Sequence, residues 1–181
     1  MDAKKQSLFT LFTTALLSLS AGAYAAGTLT GQVGVQLTIS TGCTVGNGTA
    51  AGGTNQWGNL NFGNYADLTS VINGTVFGAD GANAVTITCS TGLSPTLSLN
   101  GGLAATGGLR TMTSSGNSIP YRLYSDTSRT TEIAINTPVA LTTGTTAQNI
   151  PIYGRVLPAD QTSTAPAAGT YNDTVVATLS W

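Results

Sequence analysis

Residues 29–39 alternate without interruption: Leu29, Gly31, Val33, Val35, Leu37 and Ile39 on one side, Thr30, Gln32, Gly34, Gln36 and Thr38 on the other. A period of two is the mark of a β-strand with one buried face. Eleven residues at about 3.3 Å each span roughly 36 Å, against about 17–20 Å for an ordinary strand. A terminal strand longer than its own domain needs is a candidate to serve a second domain.

The residues before it read as an export signal. Lys4 and Lys5 give a positive start, an apolar run follows to Leu19, and Ala23-Tyr24-Ala25 has the small-x-small form of a cleavage site. Residues 1–25 are therefore expected to be removed on secretion. The run is too short to span a bilayer, which takes about 20 apolar residues. Both lysines lie in this segment. The remainder holds four arginines (Arg110, Arg122, Arg129, Arg155) against six acids (Asp67, Asp80, Asp126, Glu132, Asp160, Asp173), a balance of −2. So few cations exclude the basic footprint of a nucleic-acid partner. A polymer of such a chain cannot use lysine-based isopeptide bonds. With no histidine there is no base to activate a cysteine or serine nucleophile, and the scattered acids form no glycosidase pair and no metal cluster. No cofactor fingerprint is present, and the chain reads as a non-enzyme.

Cys43 and Cys89 are the two cysteines, and in an exported chain an even pair most simply forms one disulfide. Closing a loop of about 47 residues is worth roughly 4 kcal/mol in the chain-entropy treatment. Helical periodicity is nearly absent, and β-branched residues and glycine punctuation dominate. Asn47-Gly48, Asn73-Gly74, Asp80-Gly81 and Asn100-Gly101 read as turns. Strands are expected at 59–65, 70–77, 84–89, 96–99, 119–125, 147–156 and 170–181, with 44–58 and 101–108 as loops. Segments 84–89 and 96–99 are natural partners for a hairpin. In 119–125, Ile119, Tyr121 and Leu123 oppose Arg122 and Tyr124, while Pro151 points to an edge position or a bulge. Tyr121, Tyr124, Tyr153 and Tyr171 read as core residues whose hydroxyls seek a partner. The pattern predicts an all-β, immunoglobulin-like sandwich. In the last strand, Tyr171, Asp173, Val175, Ala177, Leu179 and Trp181 share a face, and nothing after it supplies the final strand such a sandwich needs.

Six short stretches then carry a resemblance: Ser40-Thr41-Gly42-Cys43, Leu60-Asn61-Phe62-Gly63, Val85-Thr86-Ile87-Thr88-Cys89, Tyr121-Arg122-Leu123-Tyr124-Ser125-Asp126, Ile150-Pro151-Ile152-Tyr153-Gly154-Arg155 and Ala168-Gly169-Thr170-Tyr171-Asn172-Asp173-Thr174-Val175. In this order they resemble the spore coat protein U domain of archaic (Csu-type) chaperone–usher pilins. The resemblance implies an incomplete sandwich lacking its last strand and completed by donor-strand complementation. Cys43 and Cys89 would bridge the start of the domain to an early strand. Residues 26–39 would be a donor extension placing Leu29, Gly31, Val33, Val35, Leu37 and Ile39 in a neighbour's groove, and residues 40–181 the pilin domain. A C-terminal strand with Val175, Ala177, Leu179 and Trp181 would meet a periplasmic chaperone. Implied partners are further copies of the chain, that chaperone, an outer-membrane usher, and a tip adhesin or minor pilins. The implied role is a shaft subunit, exported through the periplasm to the bacterial surface, in a fibre for adhesion and biofilm formation. The alternative reading of the same residues is a self-complete secreted sandwich that binds carbohydrate.

Overall fold

The structure, a computed structural model, describes residue 28, residues 30–51 and residues 54–181. The expected signal segment and Leu29 lie outside the described residues. The chain divides into two units, the first ending at Thr38 and the second running Ile39–Trp181. In the described part of the first unit no regular secondary structure forms, and Val33, Val35 and Leu37 stand 83–91% exposed. The alternating pattern is therefore not spent on a strand there.

The second unit is built from β1 (Cys43–Gly46), β2 (Thr49–Ala51), β3 (Thr54–Gln56), β4 (Asn59–Leu60), β5 (Ile72–Phe77), β6 (Thr86–Cys89), β7 (Thr96–Leu99), β8 (Arg110–Ser114), β9 (Asn117–Tyr124), β10 (Val139–Ala140), β11 (Gln148–Asn149), β12 (Tyr153–Val156) and β13 (Ala177–Ser180). One layer is a five-stranded sheet in the order β4-β5-β12-β9-β8. The other comes from two three-stranded sheets, β1-β6-β11 and β10-β7-β13, and β2 and β3 form a small separate hairpin. Every pairing between these strands is antiparallel. Ile87, Leu97 and Leu99 from the second layer meet Ile72, Ile119, Tyr121, Leu123 and Val156 from the first in one core cluster. The expected two-residue period is borne out where it was clearest: Val85, Ile87 and Cys89 are buried, as are Ile119, Tyr121 and Leu123. Cys43 and Cys89 are bonded, directly opposite each other in the β1–β6 ladder.

Several local expectations are corrected. Segment 44–58 is not one loop but holds most of β1 and the β2–β3 hairpin. Asn73-Gly74 is no turn: it lies inside β5. Gly74 and Gly154 are direct cross-strand partners, and a Cβ on either would lie 2.6–3.2 Å from Leu60 and Phe62 side-chain carbons. The glycine pair thins the sheet so that these two side chains can lie against it. Segments 84–89 and 96–99 do not pair with each other, because β6 and β7 belong to different sheets. Strand β8 was not anticipated. Pro151 sits at a change of layer, between edge strand β11 and β12, which is central to the five-stranded sheet. A residue without an N–H suits that crossover, where no ladder bond is required. The last expected strand shrinks to β13, with an isolated bridge from Asn172 to Thr113. Tyr124, expected on the polar face, is buried, with Arg155 stacked 5.7 Å from its ring centroid.

On the outer face of the five-stranded sheet, Arg122 donates through Nε and Nη2 to both oxygens of Asp160 (2.7 and 2.9 Å) and through Nη1 to Glu132 (2.9 Å). Hydrogen bonding from Arg122 holds the Asp160 carboxyl below its ordinary value of 3.8. A carboxyl lowered in the folded state contributes stability that is present above the unfolded value and lost as pH falls through the folded one. Thermal melts should thus show Tm steady near neutrality and falling below about pH 4. Asp160→Asn should start lower and lose less over that acid range; an unchanged acid slope in the variant would remove Asp160 from the account.

Candidate functional site

The last twelve residues form one wall of an open groove, and each stretch of that wall has its own anchor. Asn172 exchanges backbone hydrogen bonds with Thr113 (2.9 and 3.1 Å), at the edge of β8. The Asp173 carboxylate accepts from the Tyr121 hydroxyl (2.6 Å) and from the amides of Leu103 and Thr174 (2.7 Å each). Gly102 makes this approach possible: its φ is +77°, and a Cβ there would collide with the Asp173 carboxylate. The Val176 amide donates to Asn100 Oδ1 (2.8 Å), and β13 pairs with β7 from Ala177 to Ser180. Burial, with the bond to a carboxylate, drives the Tyr121 hydroxyl far above its ordinary pKa, so it stays a donor throughout the physiological range. Tyr171 donates to the Ala167 carbonyl (2.8 Å), closing the corner that leads into this wall.

Side chains along the wall alternate faithfully. Tyr171, Asp173, Val175, Ala177 and Leu179 are half-buried, while Asn172, Thr174, Val176, Thr178 and Ser180 are exposed. The half-buried row faces the groove. A cavity of about 680 Å³ lies against Tyr171–Ala177, floored by core residues such as Val85, Leu99 and Leu123 and walled opposite by Trp57 and Leu60. A second, of about 360 Å³, lies between Leu179 and Trp181 on one side and Cys43 and Val45 on the other, again with Trp57 in its lining.

Two sheet edges border the groove. β13 is the outer strand of its sheet and β1 the outer strand of its own. The Val176 carbonyl accepts from the Asn100 amide (3.0 Å), so residue 176 turns its backbone toward β7. The alternation of an antiparallel ladder then directs the backbone groups of Val175, Ala177 and Leu179 to the open side. On β1, the Gly42 carbonyl is taken by the Ser90 amide (2.9 Å), which by the same alternation turns Cys43 and Val45 outward. An apolar trough between two rows of unpaired backbone groups is what an added strand requires and what a free sheet edge otherwise exposes to aggregation.

Of the residues singled out in sequence, Val175, Ala177, Leu179 and Trp181 come together on this groove, and the disulfide fixes β1 at its opposite rim. Val33, Val35, Leu37 and Ile39 are exposed along an extended stretch with no strand assigned, and Gly31 has open space around it. Sequence reasoning missed Trp57, which lines both cavities, and the Tyr121–Asp173 bond; the only sequence signal for the latter is a tyrosine on a buried face. The tyrosines are core residues, as expected, but the partner of Tyr121 is a carboxylate.

The sequence profile of the Spore Coat Protein U domain matches residues 29–178. No curated protein sequence matches the chain. Among solved structures it is similar to the CsuC–CsuE chaperone–tip adhesion subunit pre-assembly complex from the archaic chaperone–usher Csu pili of Acinetobacter baumannii. The TM-score is 0.51 at 22% sequence identity, over 80% of this chain and 40% of that one. At that identity the likeness speaks for the fold, an all-β immunoglobulin-like sandwich. With its profile match covering most of its length, the chain belongs to the Spore Coat Protein U domain family, whose role is structural rather than catalytic.

Proposed function

We propose that the chain is a shaft subunit of a chaperone–usher pilus that polymerises by lending residues 26–39 to the next copy. One observation carries the reading: an apolar groove lies open between two unpaired strand edges in a chain that also holds an exposed apolar segment of strand periodicity. The segment and the groove wall from Tyr171 to Trp181 are both eleven residues long, about 36 Å each when extended. If Leu29, Val33, Val35, Leu37 and Ile39 are buried on docking, each contributes about 1.5–3 kcal/mol, of order 10 kcal/mol together before ordering costs. That suffices for a long-lived non-covalent fibre. In this reading a periplasmic chaperone covers the groove before assembly, reaching Val175, Ala177, Leu179 and Trp181, and an outer-membrane usher exchanges it for the next subunit's segment. The fibre emerges at the bacterial surface, with a tip adhesin or minor pilins at its end, and supports adhesion and biofilm formation. A donor segment is what a shaft subunit needs, since it must both give and receive a strand.

The test is to express residues 40–181 with and without a copy of residues 26–39 fused after Trp181. The shorter protein is expected to aggregate or unfold at low denaturant, and the fused one to be a stable monomer. A shorter protein that is already monomeric and equally stable would overturn the reading in favour of a self-complete sandwich.

A further inference from the structure

The groove is uneven along its length, and the segment proposed to fill it is uneven in a matching way. Trp57 borders both cavities, so its indole stands where the larger lobe passes into the smaller. On the β13 side, Tyr171, Asp173, Val175 and Ala177 border the larger lobe, and Leu179 and Trp181 the smaller. In residues 29–39, Gly31 is the one position on the apolar side without a side chain. Four large apolar residues follow it (Val33, Val35, Leu37, Ile39) and one precedes it (Leu29).

Building on the donor-strand reading above, we propose that the segment of a second copy docks antiparallel to β13 with Gly31 crossing at Trp57. Leu29 then enters the smaller lobe, and Val33, Val35, Leu37 and Ile39 enter the larger. The paired positions become 31 with 179, 33 with 177, 35 with 175, 37 with 173 and 39 with 171. The opposite direction fails on number: with Gly31 at the constriction, four side chains would have to share the small lobe, and three of the four wall positions of the large lobe would face no apolar partner. Gly31 answers the constriction because a backbone without a Cβ can lie close to an indole. The backbone agrees with the register, since Val175, Ala177 and Leu179 are the residues whose amide and carbonyl groups face the open side. Asp173 is the polar member of the row, and its carboxylate is turned to the Tyr121 hydroxyl and the Leu103 and Thr174 amides, away from the incoming strand's need for bonds.

Cross-linking reads the register directly. Directly opposed strand residues have Cα atoms about 4.5–5.5 Å apart, within disulfide range. The full chain carrying Val33→Cys with Ala177→Cys, assembled under oxidising conditions, should give a ladder of covalent multimers on a non-reducing gel. Val33→Cys with Asp173→Cys, or with Trp181→Cys, should polymerise without cross-linking. A ladder from either of those pairs instead, or polymers of the 33/177 variant with no ladder, would overturn the register. A steric test runs beside it: Gly31→Val should speed fibre dissociation at least tenfold, and Trp57→Ala in the same chain should restore it. Unchanged fibres from Gly31→Val, or no relief from Trp57→Ala, would remove the constriction from the account. Failure of the parent chain to polymerise at all would sink the donor-strand reading itself, so the two failures are told apart.

Discussion

Val35→Asp is expected to abolish polymerisation while leaving the subunit folded. Val35 is 91% exposed in the single chain, so the substitution removes no contact there and stability should change by less than about 0.5 kcal/mol. In a fibre the same residue would lie against Val175 over the larger lobe, whose floor is made by Val85, Leu99 and Leu123. Losing the valine forfeits about 1.5–3 kcal/mol of burial. Placing an unpaired carboxylate in that trough costs several kcal/mol more, because no cation lines it to compensate. Together these exceed about 4 kcal/mol, or roughly a thousandfold in the equilibrium for adding a subunit. Light scattering of the assembling chain, with circular dichroism of the same sample, separates the two outcomes. Normal fibres from the variant would mean that residue 35 does not enter a groove. Gln36→Asp is the matched control: its side chain lies on the opposite face of the segment and should leave assembly nearly unchanged.

The parts of this molecule that a sequence reader can see are those whose cause is local. The alternation of Val85, Ile87 and Cys89 announces a half-buried strand because neighbours along the chain decide it. So does the row from Tyr171 to Leu179, although only Ala177–Ser180 makes a ladder and the preceding stretch is held by Thr113, Tyr121 and Asn100 instead. Partners are another matter. Segments 84–89 and 96–99 look like a hairpin because they are close in sequence, yet each pairs with strands from later in the chain, β11 in one case and β10 and β13 in the other. Asn73-Gly74 has turn chemistry, but the glycine is there for its missing Cβ, and the reason, Leu60 and Phe62 packed across it, lies outside any local window. The candidate site divides the same way. Its apolar rows are legible, while the indole of Trp57 between two cavities and the bond from Tyr121 to a residue 52 positions away are products of the fold.

Arg110 is the clearest case of a residue whose weight is invisible in sequence, and removing it should be the most damaging single change in the sandwich. It sits in β8, directly opposite Tyr121, and is only 2% exposed. Among the described residues no carboxylate pairs with it at salt-bridge distance. Its guanidinium donates instead to three backbone carbonyls: Nε to Asn100 (2.8 Å), Nη1 to Ile133 (2.8 Å) and Nη2 to Leu99 (3.0 Å). Burial pulls its pKa down, and the negative groups nearby, Glu132 and Asp173 among them, pull it back up. An arginine keeps its proton through such a contest, so the bonds are charge-assisted. They tie the edge strand of the five-stranded sheet to the end of β7 in the other layer, beside the residues that hold the groove wall. Arg110→Ala strands three carbonyls and opens a cavity, and should cost about 3–5 kcal/mol. Arg110→Met restores most of the volume and none of the bonds, and should recover part of that loss. Arg110→Lys supplies donors without the planar fork, so it cannot reach all three carbonyls at once. The expected order of urea midpoints, measured on the monomer completed by a fused strand, is arginine, then lysine, then methionine, then alanine. A methionine variant within about 1 kcal/mol of the parent would show that packing, not the three bonds, is what Arg110 contributes.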